Sequence, residues 1–88
     1  MLKIQPSAYN YYLGITNQEA DMLKVIQQRP GVSTNDISAQ TEIGKTHLSK
    51  SLQQMHRAGL INRHQAGTYA QWFINPGSLA EDIILYAA

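Results

Sequence analysis

The chain has no cysteine among its 88 residues, which excludes disulfides, thiolate metal sites and thiol nucleophiles together. No apolar run approaches the roughly 18 residues that a membrane span needs. The N-terminus also lacks a basic stretch leading into an apolar one. Neither a membrane helix nor a secretory signal is expected, and the sequence reads as that of a soluble cytoplasmic protein. Repeats, low-complexity tracts and linkers are missing as well. At 9.8 kDa the chain is too short for two cores. Surface scaling leaves about 5,000 Å² exposed of about 14,000 Å² in the extended chain, enough burial for one domain without staples.

One local absence carries more information. From residue 44 to residue 64 there is no carboxylate, while Lys45, Lys50, Arg57 and Arg63 all fall there, as do His47, His56 and His64. Residues 1–43 set Lys3, Lys24 and Arg29 against Glu19, Asp21, Asp36 and Glu42, and residues 65–88 carry only Glu81 and Asp82. A net charge of +1 therefore conceals one basic segment in a mildly acidic chain.

Start and stop signals divide the chain. Thr16-Asn17-Gln18-Glu19 is a capping box, and Met22, Leu23 and Ile26, with Val25 beside them, give the helix after it an apolar face. Arg29-Pro30-Gly31 stops that helix. Ser33-Thr34-Asn35-Asp36 opens a shorter helix whose apolar residues, Ile37 and Ala39, are too few to hold it without neighbours. A break over Thr41 to Gly44 leads to a third helix, Lys45 to Ala58, with Leu48, Leu52 and Met55 as its inward stripe and Gly59 after its end.

Beyond Gly59 the period changes to two. Leu60 to His64 and Thr68 to Ile74 read as strands around a Gln65-Ala66-Gly67 turn. Alternation sends Trp72 and Ile74 one way and Phe73 the other, one face packs on the helices, and Trp72 reads as core, with a base-stacking platform as the alternative. Ser78-Leu79-Ala80-Glu81 is a second capping box, opening a last helix with Leu79, Ile83 and Tyr86 on one side. Pro6 and Gly14 bracket a short helix holding Tyr9, Tyr12 and Leu13. The apolar surface of the two ends exceeds what the middle must bury. Tyr9, Tyr12, Leu13, Leu79, Ile83, Ile84 and Tyr86 are thus candidates for a homodimer interface, with packing inside the same domain as the alternative.

Helix, short helix, tight break, longer helix and hairpin compose a mostly α fold with a β-hairpin wing, a winged helix-turn-helix. With Leu48, Leu52 and Met55 inward, the 100° step puts Thr46, Lys50, Gln53 and Arg57 opposite, flanked by Lys45 and Ser49. These side chains suit phosphates and base edges of double-stranded DNA: Thr46, Ser49, Lys50 and Gln53 in a major groove, and Lys45, Arg57 and the wing residue Arg63 on phosphates.

Catalytic readings fail. Gly44-Lys45-Thr46 ends like a phosphate-binding loop, but the position where such a loop needs its first glycine is Ala39, inside a helix. Glu81 and Asp82 are adjacent and diverge by about 100° on a helix. The histidine spacings match no metal motif. No enzyme activity, cofactor, metal or small-molecule ligand is expected.

The run Ile37-Ser38-Ala39-Gln40-Thr41-Glu42-Ile43-Gly44-Lys45-Thr46-His47-Leu48-Ser49-Lys50, then Leu52, then Ala58-Gly59-Leu60-Ile61, resembles the winged-helix core of multiple-antibiotic-resistance-type (MarR) regulators. It is also similar to winged helices of phage and plasmid replication initiators, and Gln71-Trp72-Phe73-Ile74-Asn75-Pro76 fits their wing ending. The likeness spans roughly residues 16–76. It leaves residues 1–15 and helix 78–88 as dimerisation extensions. It implies a small transcriptional regulator of a prokaryote, virus or plasmid. An origin-binding replication or plasmid-maintenance factor is the runner-up, and a winged helix used only for protein contact the rival.

Two departures stand out. Glu42 occupies a turn position where glycine is usual, setting an acid near the recognition helix. The chain also carries none of the long terminal helices of full-size MarR-type repressors, so their ligand pocket does not transfer. Ser49 and Gln53 stand where Z-DNA binders use asparagine and tyrosine, which disfavours that specialised use.

Overall fold

The computed structural model describes residues 15–86. Tyr9, Tyr12 and Leu13, and the short N-terminal helix expected around them, lie outside that range, as does the Tyr86 side chain. Helix α1 (Asn17–Gln28) opens on a complete capping box. Thr16 Oγ1 accepts from the Glu19 N–H at 3.1 Å, and Glu19 Oε1 accepts from the Thr16 N–H at 3.1 Å. Its buried face holds Ala20, Met22, Leu23, Val25 and Ile26.

After α1 the chain turns through Gly31, whose φ of +86° suits a residue without Cβ. It then enters β1 (Val32–Ser33), a strand absent from the sequence reading. Two residues make no periodic signal, and β1 exists only because Val32 pairs with Trp72 and Ser33 with Gln71. Ser33 also caps α2 (Thr34–Thr41), its Oγ accepting from the Asp36 N–H. Ile37 is the one buried residue of α2, and Ala39 faces solvent, so α2 leans on its neighbours even more than expected.

The turn into α3 (Lys45–Arg57) is tied by side chains. Ser38 Oγ donates to the Ile43 carbonyl and Thr41 Oγ1 to the Ile37 carbonyl, each at 2.7 Å. Leu48, Leu52 and Met55 point inward as expected, and Ser51 joins them.

The hairpin consists of β2 (Ile61–Ala66) and β3 (Tyr69–Ile74), in a sheet ordered β1-β3-β2. The turn differs from the expectation. Ala66 pairs with Tyr69, so it comprises Gly67 and Thr68, and Gln65 and Ala66 belong to β2. Gly67 at φ +63° supplies the conformation that a two-residue turn requires.

Helix α4 (Leu79–Tyr86) also differs. Its inward residues are Ala80 and Ile83, while Leu79 is 51% exposed. Ile83 is 0% exposed, which moves it from the expected interface into the core. The cause lies at the helix start. Glu81 Oε1 accepts from the Gly77 N–H rather than from Ser78, and Ser78 Oγ accepts from the Ala80 N–H while donating to the Leu60 carbonyl. These contacts rotate Ala80 and Ile83 onto α1 and leave Leu79 at the rim.

Ser51 is 4% exposed and its hydroxyl has no hydrogen-bond partner among the described residues. An unpaired buried hydroxyl is unfavourable, and alanine is the better helix former. Ser51→Ala should therefore raise stability by about 1 kcal/mol, or about 4–8 °C in Tm for a domain of this size. A thermal melt tests this, and an unchanged or lower Tm would mean that the hydroxyl is satisfied.

Candidate nucleic-acid interface

Helix α3 has two unlike faces. Leu48, Ser51, Leu52 and Met55 are buried, and Lys45, Thr46, Ser49, Lys50, Gln53 and Arg57 are all exposed. Lys45, Lys50 and Arg57 make no ion pair or hydrogen bond among the described residues. Gly44 precedes the helix and offers no side-chain cap to its first-turn N–H groups. The N-terminal half of α3 is braced by α1, where His47 Nε2 lies 3.1 Å from Gln18 Oε1.

The wing folds toward the C-terminal half of α3. Residues paired across an antiparallel ladder share a face, and Arg63 pairs with Trp72, whose ring is buried. Arg63 thus stands on the helix-facing side of the wing. It donates to Gln65 Oε1 at 2.8 Å, and Gln65 Nε2 donates to the Gly67 carbonyl at 3.1 Å, so the cation is held by the turn of its own hairpin.

Between α3 and the wing runs an open groove of about 500 Å³. Ser49, Gln53, His56 and Arg57 line it from α3, Arg63, Ala70 and Trp72 from the sheet, and Thr34 from α2. Four of the seven residues expected to meet DNA therefore surround one concavity. Lys45, Thr46 and Lys50 lie outside it, on the open face of α3 nearer its start.

Sequence reasoning missed Thr34, His56, Ala70 and Trp72 as members of this groove. Trp72 was expected to pack inward, and it does, but its ring also forms a T-shaped pair with His56, with ring centroids 6.3 Å apart at 73°. Thr34 was read as part of a cap, and its hydroxyl instead accepts from the Trp72 indole at 2.9 Å. No sequence signal joins these residues. His64 pairs with Gln71 and so lies on the opposite face of the wing, away from the groove. No group of three or more metal-ligating side chains occurs among the described residues.

Two helices joined by a tight turn, the second exposed and flanked by a β-hairpin, define a winged helix-turn-helix protein. A model of the MarR family matches residues 13–68, and the chain belongs to that family. No curated protein matches.

Among solved structures, the chain is similar to a MarR family transcription regulator at 23% identity and a TM-score of 0.76, covering 89% of this chain and 52% of that one. It is similar to the multiple antibiotic-resistance repressor of Listeria monocytogenes at 20% identity and a TM-score of 0.77, over 93% of this chain and 55% of that one. It also resembles MepR of Staphylococcus aureus in complex with DNA, at 19% identity and a TM-score of 0.74, over 93% of this chain and 61% of that one. The chain thus spans little more than half the length of these proteins.

The turn that aims α3 carries a local cost. Glu42 has φ +62°, the left-handed region that an L side chain occupies at about 1–2 kcal/mol. Glycine removes that cost and loses about 0.5–1 kcal/mol in backbone entropy. Glu42→Gly should therefore raise stability by up to about 1 kcal/mol, whereas Glu42→Ala, still left-handed, should not. Denaturant titration of the two variants checks the contrast, and equal effects would mean that the turn is unstrained.

Proposed function

We propose that this chain is the DNA-binding part of a transcriptional regulator, with α3 in the major groove of double-stranded DNA and the wing against the adjacent backbone. The observation that carries the reading is the acid-free, unpaired basic surface of α3, continued by Arg63 around one groove. A polar helix face alone would only be solvated. Cations left without partners on the one helix that the fold projects suit a polyanion.

Thr46, Ser49, Lys50 and Gln53 take the positions for base edges and nearby phosphates, and Lys45, Arg57 and Arg63 those for phosphates. The chain acts by binding rather than catalysis, and its setting is the cytoplasm, where such a target lies. No helix among the described residues is long and apolar enough to cross a membrane.

The chain also binds as a two-fold dimer. One module with four cations on its contact surface makes few phosphate contacts, and two copies on half-sites about one helical turn apart would double them. Support comes from α4, where Leu85 is 69% exposed and Ile84 half-buried on one side of the helix, with Leu79, 51% exposed, on another.

The first test is a titration of random and selected duplexes at two salt concentrations. Lys50→Ala should weaken binding to every duplex and lower the salt slope by about one unit. Gln53→Ala should cost about 1–3 kcal/mol on the preferred site alone. Affinity unmoved by either change would remove α3 from the interface, and salt-independent binding would favour a protein-contact role. Selection of genomic fragments separates a promoter-bound regulator from an origin-bound replication factor.

For the dimer, sedimentation at tens of micromolar should give about twice 9.8 kDa. Ile84→Glu should return it to the monomer and weaken DNA binding, since a charge is expelled from a closed interface. A wild-type monomer that binds DNA tightly would rule the dimer out.

A further inference from the structure

Trp72 is the last buried side chain on the helix-facing side of the wing. Nearer the base of the sheet that side carries Ile61 and Ile74, and nearer the tip Gln65 and Ala70. The residue is held from several directions. Its carbonyl accepts from the Gly31 N–H at 2.9 Å, and its backbone pairs with Val32 on one side and Arg63 on the other. Its indole Nε1–H donates to Thr34 Oγ1 at 2.9 Å, and its ring forms a T-shaped pair with His56 of α3. One side chain therefore touches α2, α3 and the strand pair that carries Arg63.

A buried indole N–H needs an acceptor. Here the acceptor is a side chain on the first turn of α2, not a carbonyl of the sheet. Apolar packing would bury the ring in more than one rotation, whereas a hydrogen bond at one point selects a single one. Within the wing, Arg63 is tied to Gln65 Oε1 and Gln65 to the Gly67 carbonyl. Where its cation stands relative to α3 is then decided by how the hairpin is attached, and Trp72 is the attachment nearest to Arg63.

From this the geometry points to Thr34 and Trp72 as positioning residues: their hydrogen bond sets the wing so that Arg63 and α3 engage the same stretch of duplex. This rests on the DNA reading above. Thr34 acts through Trp72 on Arg63 and need not touch DNA.

The test is a double-mutant cycle. Thr34→Val removes the acceptor at constant shape, Thr34→Ser keeps it, and each is made with and without Arg63→Ala. Affinity for a random duplex is measured at two salt concentrations, with Tm as the check on folding. Thr34→Val should weaken binding about fivefold and lower the salt slope by about one unit, as Arg63→Ala does. Thr34→Ser should bind like wild type, and in the Arg63→Ala background Thr34→Val should add nothing.

Wild-type binding by Thr34→Val overturns the positioning role and leaves the DNA reading intact. Losses that multiply in the double variant do the same, and make Thr34 a direct contact. A wild-type chain that binds no duplex overturns the DNA reading and this inference with it. Should Thr34→Val not fold, Trp72→Phe, which keeps an aromatic ring without the donor, enters the same cycle with the same expected outcomes.

Discussion

The structure depends on the pairing of β3 with strands on both sides. Its partner β1 is two residues long and has no stability of its own, and β2 belongs to a hairpin that would be marginal in isolation. Joined through β3, they form a sheet that the helices can pack against. Because β1 runs directly into α2, the same pairing fixes where α2 begins. With Ile37 as its one buried residue, α2 would not persist as a free peptide of eight residues. The long-range ladder therefore organises both the wing and the helix-turn-helix.

Helix α3 divides its work between two faces. Its inner face is closed by Leu48, Leu52 and Met55, which anchor it against the sheet and α2. Its outer face contributes little to stability, since exposed cations without partners add no ion-pair energy and repel one another weakly. That surface is the one proposed above to meet DNA. The turn before it follows a similar division, because Glu42 holds a left-handed conformation that a glycine would adopt more easily, while Ser38 and Thr41 tie the backbone around it.

The boundaries of α1, α2 and α3 were legible because caps and apolar stripes act within a few residues of each other. The Thr16 capping box and the Leu48-Leu52-Met55 stripe appear as read, and of the capping stretch Ser33-Thr34-Asn35-Asp36 it is Ser33 that caps α2. The α4 face was misread because its orientation depends on Leu60, far away in sequence, whose carbonyl receives Ser78 Oγ. The hairpin turn was misplaced by a residue or two because Gln65-Ala66-Gly67 and Gly67-Thr68 both contain the one glycine that matters. Helical period put Ser49, Gln53 and Arg57 on the outer side of α3 and the hairpin reading put Arg63 in the wing, and these four line the groove. Thr34, His56 and Trp72 were not found as their neighbours, since nothing in their spacing marks a shared groove.

The sequence by itself determined the local structure and the sign of the surface. Capping hydroxyls, a 3.6-residue stripe and a carboxylate-free segment are properties of neighbours along the chain, and they act in the same way in any fold. Tertiary structure alone decided which strand completes the sheet, which side of α4 is buried, and that Trp72 reaches across to Thr34 and His56. Those outcomes follow from backbone pairing and packing between segments far apart in sequence. Their free energy appears only when the whole core closes at once.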